Sequence, residues 1–180
     1  MILINDMPVT DAVQDVQDYL NRVFGEDEAE IMAGATEQSF GDEQTPLPKQ
    51  RAEFPLGITF SPMESYLLRR GFVPKQMEEK WFIYAKENRI IFRRSWTGCY
   101  IYRMMVQQRG DCIYASHALV NRDAEEYPET DIDYDKAMLL YLTSVLLLDR
   151  PRPLPMKRGL SEDEQVINAW SAVGNAMTKG

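Results

Sequence analysis

Four short segments rich in branched and aromatic residues, separated by breaks of turn length, constrain the fold of this chain most strongly. They are 81–85, 89–94, 98–107 and 111–120. Ile, Val, Tyr and Phe favour strands, and connections of two to five residues are typical of hairpins. The sequence therefore predicts a four-stranded antiparallel meander.

Capping signals predict helices on both sides of the meander. Ser61 is followed by a proline and then by a glutamate, the pattern of a capping box, and Gly71 can end that helix. Ser161 begins a second capping box, and one stripe of the helix after it consists of Val166, Trp170, Val173 and Met177. That stripe can cover the chain's own sheet or a partner's groove. Thr10 can cap a further helix over 10–24.

The most apolar part of the chain predicts a buried helix from about 134 to 148. Asp131 or Asp133 can cap it, and apolar residues occupy most of its sides. Its apolar stretch of about eleven residues is shorter than the roughly 20 that span a bilayer. The first residues lack a basic region before a long apolar run, so we expect a cytoplasmic protein with no membrane contact.

Together these elements predict an α+β fold in a single domain over residues 1–180, with the meander packed on the buried helix and with flanking N- and C-terminal helices. Residues 26–54 are acidic at first and then rich in Gln, Pro and Thr, with the extended stretch TPLP at 45–48. This composition predicts a loop or linker.

The charge of the chain is unevenly distributed, although its net value is −8. Residues 1–45 contain eleven acidic residues and one basic residue, Arg22, for a net charge of −10. Residues 80–122 contain eight basic and two acidic residues, for a net charge of +6. An overall negative charge repels a long polyanion, so we expect no duplex nucleic acid partner. The basic segment can bind an anionic ligand or the acidic segment, and both segments can also be solvated surfaces.

The predicted turns also predict which side chains share a face of the meander. They place residue 84 opposite 91, residue 93 opposite 100, and residue 102 opposite 116. One face then contains an arginine and four tyrosines, namely Arg93, Tyr84, Tyr100, Tyr102 and Tyr114. The other face holds most of the branched aliphatic residues and is expected to pack on the helix. The tyrosine-rich face can stack a planar base, or it can be half-buried under a second helix.

The densest group of polar and aromatic residues falls at one predicted turn and consists of Arg93, Arg94, Ser95, Trp96 and Thr97. Hydroxyls and backbone amides can hold an oxyanion there, while an arginine supplies charge and the tryptophan stacks. With Tyr100 and Tyr102 on the adjacent strand, these residues are the predicted ligand-binding site. The alternative is a turn that uses Ser, Thr and Gly only for its geometry.

Cys99, Cys112 and His117 are the candidates for nucleophilic or acid–base chemistry. The predicted register separates the cysteines by about 20 Å, whereas a disulfide needs Cα atoms within about 7 Å, so we predict two free thiols. It brings His117 near Ile101, so that an enzyme using Cys99 with His117 is a third hypothesis. A lone histidine among aliphatic residues is more typical of the core. The sequence has no zinc signature, Walker loop or G-x-G-x-x-G motif, so we predict no metal, no cofactor and no catalytic residue.

The motif KWFIY at 80–84, followed by RSWTGCYIY at 94–102, resembles a hairpin found in small bacterial proteins and appended domains. The resemblance covers about residues 80–120. Such hairpins occur beside enzymes that process nucleotides or ADP-ribose, so the resemblance implies a nucleotide-related role and assigns no activity to any residue. The chain has Arg93 where the pattern of these hairpins has a histidine.

These observations favour two functions of different classes. The first is a non-catalytic module that binds a small anionic ligand, a nucleotide or an ADP-ribose-like group, at the seven predicted site residues. The alternative is an acidic protein-interaction protein, of the antagonist or immunity type, whose residues 1–45 cover a basic partner.

Overall fold

The computed structural model describes residues 34–41 and 44–179, which form an antiparallel sheet with helices, an α+β fold. The strands are β1 (Arg51–Phe60), β2 (Trp81–Lys86), β3 (Arg89–Arg94), β4 (Tyr100–Arg109) and β5 (Cys112–Asn121). The helices are α1 (Pro62–Arg70), α2 (Ile132–Leu142) and α3 (Glu162–Val173). The spatial order of the strands is β1-β5-β4-β3-β2. The helix predicted over 10–24 lies outside the described residues.

Strand β1 makes the sheet five-stranded, so the prediction of four strands is wrong in number. It pairs antiparallel with β5, beginning with Arg51 opposite Asn121, and forms an outer edge of the sheet. Its first four residues, 51–54, lie at the end of the segment 26–54 that is predicted to be a loop. The strands β2 to β5 follow one another as predicted.

Turn-type residues inside β1 explain why the sequence does not signal a strand there. The pairing with β5 shifts register between Pro55 and Ile58, and Gly57 within this irregularity has a φ of 67°. Proline and glycine are tolerated at such bulges of edge strands. At the other edge of the sheet, Phe72 exchanges two backbone hydrogen bonds of 2.8 and 2.9 Å with Ile83 of β2.

Two details of β4 correct the predicted register. Arg93 pairs with Tyr100 as predicted, but the neighbouring Phe92 pairs with Tyr102, so that Ile101 is an extra residue at a bulge. The turn between β4 and β5 has only two residues, at 110 and 111. Together with a second bulge at Ser116, this short turn places residue 102 opposite residue 120 rather than opposite residue 116.

Helices α1 and α3 begin at the predicted capping boxes. The Ser61 hydroxyl accepts a hydrogen bond from the Glu64 backbone N–H at 3.3 Å, and the Glu64 carboxylate accepts one from the Ser61 N–H at 2.8 Å. Ser161 and Glu164 form the same reciprocal pair, with distances of 3.4 and 2.8 Å. A glycine with positive φ ends each of the two helices.

The buried helix is present where the sequence predicts it, and Asp131 caps it. The Asp131 carboxylate accepts hydrogen bonds from the N–H groups of Asp133 and Tyr134 at 3.0 and 3.3 Å. The helix is α-helical through Leu142 and continues as a π-helical turn over Thr143–Leu147. Within the described part of the chain, no helix has the length and apolarity needed to cross a membrane.

The helices pack on one face of the sheet, where they form the main core with Phe54, Trp81, Ile83, Phe92, Tyr102, Met104 and Val120. Among the residues that the structure describes, those that cover the β2–β3–β4 half of the opposite face belong to the segment formed by 34–41 and 44–48, which contains no helix. Ala35, Phe40 and Leu47 of this segment pack against Phe82, Tyr84, Ile91 and Tyr100. The bulge in β4 explains why Tyr102 and Met104 face the helices, because the extra residue reverses the alternation of side chains.

The predicted apolar stripe of α3 is divided between core and solvent. Val173 is buried and Met177 packs partly against the core, whereas Val166 and Trp170 are exposed. The helix instead docks through Ala169 and Val173, both of which are buried.

Candidate functional site

The two adjacent arginines of the predicted site, Arg93 and Arg94, point to opposite faces of the sheet. Arg93 donates to the Tyr84 hydroxyl at 3.1 Å and to the backbone carbonyls of Thr45 and Gly98 at 2.5 and 3.0 Å. Arg94 donates instead to carbonyls of α3, on the helix face. Consecutive residues of a strand alternate in direction, so the two cations cannot contact one small ligand together.

The turn residues of the predicted site are bonded within the protein. The Ser95 hydroxyl is buried and donates to the Glu79 carbonyl at 2.8 Å, and the Trp96 indole donates to the Met77 carbonyl at 2.9 Å. The Thr97 hydroxyl accepts a hydrogen bond from the Cys99 N–H at 3.4 Å. These contacts fix the geometry of the turn, which agrees with the alternative that Ser, Thr and Gly serve only that geometry.

The two tyrosines of the predicted site also lie on different faces, and both are buried. Tyr100 lies under the guanidinium of Arg93, whose carbon is 4.5 Å from the ring centre. Tyr102 faces the helices, where its hydroxyl lies 2.7 Å from that of Tyr127 and donates to Asp135 at 3.1 Å. Neither ring offers an open face, so the structure does not bring the seven residues together into one site.

A cleft on the helix face contains one of the predicted residues, Arg94. It lies between the ends of β2 and β3, the loop over 126–129, α2 and α3, and its volume is about 240 Å³. Its other principal lining residues are Trp81, Glu126, Tyr127, Glu129, Tyr134, Lys157 and Asn168. We call it the Arg94 cleft.

Trp81 forms a rigid wall of the Arg94 cleft. It pairs directly with Arg94 across β2 and β3, and its indole N–H donates to the Ala172 carbonyl at 2.7 Å. The Tyr102 ring stacks on Trp81 at a centroid distance of 5.8 Å, and the Arg94 guanidinium carbon lies 5.1 Å from the Trp81 ring. Because these neighbours already occupy the indole, we expect a ligand to bind here through polar contacts rather than by stacking on it.

Arg94 brings a positive charge into the cleft, which the carboxylates of Glu126 and Glu129 also line. Its guanidinium donates to the Ala172 and Ser171 carbonyls at 2.7 and 2.6 Å, and these acceptors are neutral. Within the described ranges, no carboxylate forms an ion pair with Arg94. Burial lowers the pKa of Arg94, because desolvation disfavours the charged form. An anion at this position would offset the cost of burying the cation.

The other charged groups of the cleft have partners. Lys157 forms an ion pair of 2.7 Å with Glu129, whose carboxylate also accepts from the backbone N–H groups of Thr130 and Asp131. Burial alone would raise the pKa of Glu129, but Lys157 and these N–H groups hold it below its ordinary value. Glu126 accepts a hydrogen bond of 2.7 Å from the Asn121 amide.

A buried polar network, which the sequence analysis missed, lies beside the cleft. Asp135 is fully buried and accepts hydrogen bonds from Tyr127 at 2.8 Å, from Tyr102 at 3.1 Å and from Arg122 at 2.5 Å. Burial raises the pKa of both Tyr127 and Asp135. The sequence holds one signal for this network. Asp135 precedes Leu139 by one turn, so it lies on the apolar side of the predicted helix, where a buried carboxylate needs partners.

The pairing of the strands separates the residues of the enzyme hypothesis. His117 pairs with Met105, not with the region of Ile101, and its Nδ1 lies 2.8 Å from the Ser116 hydroxyl. Cys99 lies before the start of β4, six residues from Met105, so the strand pairing does not bring Cys99 to His117 as the third hypothesis requires. Both cysteines are free thiols, as predicted. Among the residues that the structure describes, no group of His, Cys, Asp and Glu is arranged to hold a metal ion.

The acidic segment 1–45, on which the protein-interaction alternative rests, lies mostly outside the described residues, so that function stays a prediction. Comparison with known proteins finds no matching family model, no similar curated protein and no similar solved structure.

Proposed function

We propose that this chain is a non-catalytic module that binds a small anionic ligand in the Arg94 cleft. The observation that supports it is the half-buried guanidinium of Arg94, which lines the cleft and has neutral carbonyls as its hydrogen-bond acceptors. A guanidinium has five N–H donors, and two of them make these bonds, so donors remain for a carboxylate or phosphate oxygen.

Two further residues of the Arg94 cleft can contact an anion. Lys157 keeps donors after its ion pair with Glu129, because an ammonium group has three. Asn168 donates to the Tyr134 hydroxyl at 3.2 Å and has a second amide hydrogen. Together with Arg94 they give the cleft the donors that an oxyanion requires.

The size of the cleft favours a small ligand. Its volume of about 240 Å³ lies below the range of about 300–1,000 Å³ that is usual for ligand pockets. We therefore expect a phosphate or carboxylate group to enter the cleft. If the ligand is a nucleotide or an ADP-ribose-like group, its anionic end binds Arg94 and the remainder lies outside the cleft.

The test is a thermal-shift and calorimetric titration of the protein with inorganic phosphate, AMP and ADP-ribose. A ligand that binds only the folded state raises the melting temperature. We expect at least one of these probes to bind the wild type. In Arg94→Met its affinity should fall by about 10- to 100-fold, because a charge-assisted hydrogen bond is worth about 1.5–3 kcal/mol.

Arg109→Met is the matched control, because this exposed arginine stacks on Tyr114, remote in sequence and strand position from the cleft. Lys157→Met provides a second cleft variant that leaves the hydrogen bonds between Arg94 and α3 intact. Equal binding by the wild type and both cleft variants would contradict the proposal, as would the absence of binding by all three probes at millimolar concentration.

A further inference from the structure

The large apolar side chains that are exposed in the described part of the chain gather around α3. They are Met77, Trp96, Met156, Val166, Ile167 and Trp170, with exposed fractions of 67, 58, 62, 59, 69 and 44%. Three of them belong to α3 itself, and we call all six the apolar band. Scattered apolar residues are normal on a protein surface, but a contiguous group indicates an interaction site.

Hydrogen bonds attach the other three members of the band to the two ends of α3. Near the start of the helix, the Gln165 side chain bonds both backbone groups of Lys157, next to Met156, at 3.2 and 2.5 Å. At its end, the Asn175 N–H donates to the Glu78 carbonyl at 3.1 Å, beside Met77. The indole of Trp96 in turn donates to the Met77 carbonyl at 2.9 Å.

The members of the band on α3 lie on a solvent-exposed flank of the helix, beside its buried face. Ile167 and Trp170 are three residues apart and Val166 and Trp170 are four apart, so they are neighbours on the helix surface. The inward side is occupied by Ala169 and Val173, which are buried against the protein. The band is therefore not needed to complete the core.

Asp163 lies at one end of the band, and Lys80, which follows Glu78 and Glu79 in sequence, lies at the other. Asp163 is exposed and precedes Val166 and Ile167 by one turn. The cations near this end are already paired, Lys157 with Glu129 at 2.7 Å and Arg158 with Asp133 at 3.6 Å.

At the other end of α3, the Lys80 side chain lies against Gly174, so closely that a Cβ added there would contact it at 2.9 Å. The Lys80 ammonium donates to the Met77 carbonyl at 3.3 Å, within the band. A two-fold rotation about the middle of the band would bring Asp163 of one copy to the end of the other copy that carries Lys80, where the two side chains can pair.

We propose that the apolar band is the interface of a symmetric dimer in which α3 packs antiparallel on α3 of a second copy. The 12 residues of the helix span about 18 Å, so the rotation brings Asp163 of one copy beside Lys80 of the other. Trp170 and Ile167 lie at the centre of this arrangement, where aromatic and apolar anchors stabilise interfaces most. The inference is independent of the Arg94 cleft, because none of the six residues lines that cleft.

Sedimentation velocity of the full chain from 1 to 200 µM tests the dimer. We expect the wild type to reach twice its mass of 20.8 kDa within this range. Ile167→Asp should stay monomeric, with association at least tenfold weaker, because it places a charge at the centre of the apolar band. Thr59→Asp, on the exposed side of β1, is the control and should associate like the wild type.

A charge exchange tests the antiparallel arrangement. Asp163→Lys and Lys80→Glu should each weaken association several-fold, and the double variant should restore it, because the two charges then attract across the interface in exchanged positions. A wild type that stays monomeric to 200 µM overturns the proposal, and so does an Ile167→Asp variant that associates as tightly as the wild type. A double variant no tighter than either single variant overturns the antiparallel pairing.

Discussion

Arg93 and Arg94 show how strongly position decides what a residue does. The two side chains are chemically identical and adjacent in sequence. Arg93 is only 5% exposed, and its hydrogen bonds hold the segment 44–48 on the sheet. Arg94 lies on the other face, where it joins β3 to α3 and lines a cleft. The sequence shows two equivalent cations, and only the alternation of the strand and the identity of the covering segments distinguish them.

Substitution of two glycines, Gly174 and Gly110, can distinguish the energetic effect of backbone strain from that of steric crowding. Gly174 has a φ of 55°, and an added Cβ would overlap the Glu78 carbonyl, whereas Gly110 has a φ of 61° with no atom within 4 Å of its added Cβ. We expect Gly110→Ala to lower the free energy of unfolding by about 1–2 kcal/mol. Gly174→Ala should cost roughly 1–3 kcal/mol more, because the backbone of residue 78 must move. Urea denaturation of both variants measures this, and equal losses would contradict the assigned overlap.

At the scale of elements, the helices and strands were predictable because their signals are local. The capping boxes at Ser61 and Ser161 and the cap at Asp131 all begin helices. The positions of β2 to β5 follow from residue composition. Register was not predictable, because a bulge at residue 101 and a turn of two residues leave no local signature. The bulge reverses the side chains of the rest of β4, and the turn shifts the pairing of β4 with β5.

The candidate site was predictable only in part, for the same reason. The sequence places Arg94 as a charged residue at the end of a predicted strand, but its neighbours in the cleft come from distant segments. Tyr127, Lys157 and Asn168 are between 33 and 74 residues away in sequence, and tertiary packing alone brings them to the cleft.

Glu129 joins Lys157, which lies between α2 and α3, to the start of α2, and this tether should depend on pH. Its pKa in the folded state lies below the ordinary 4.5, so the contribution to stability is present above pH 4.5 and is lost as the pH falls through the folded value. We expect Glu129→Gln to lower the free energy of unfolding by about 1 kcal/mol at pH 7. The difference from the wild type should shrink as the pH falls below 4.5.

Urea denaturation between pH 3 and pH 7 measures this difference, with Glu125→Gln as the control because Glu125 is exposed and its side chain makes no ion pair with a described residue. If Glu129→Gln lowers the free energy of unfolding equally at both ends of the pH range, the charge of Glu129 does not stabilise this tether.

At the scale of the whole molecule, one buried carboxylate connects the sheet to the helix layer. Asp135 of α2 is bonded to Tyr102 of β4, to Arg122 after β5 and to Tyr127 of the connecting loop. Because every partner comes from a different part of the chain, the network specifies how α2 sits on the sheet. Polar networks that are fully satisfied stabilise a unique packing, whereas partly satisfied ones are costly.

The losses in free energy of unfolding caused by removing either partner of the buried ion pair alone should therefore not add up when both partners are removed. We expect Asp135→Asn or Arg122→Met alone to lower the free energy of unfolding by about 3 kcal/mol, because each leaves a buried charge without its partner. The double variant should lose less than the sum of the two. Arg89→Met, which breaks the exposed pair with Glu87, should lose less than about 1 kcal/mol. Additive losses in the double variant, measured by urea denaturation, would exclude the coupling.

Both outer edges of the sheet are interrupted, and this limits how the protein can polymerise. On β1, Pro55 supplies no N–H donor and the ladder loses its regular spacing beside it, while on β2 the backbone groups of Ile83 are already bonded to Phe72. An incoming strand of another molecule would find no long row of free N–H and C=O groups on either side. Both features disfavour the addition of a strand at these edges, which leaves the helical surface for the self-association proposed above.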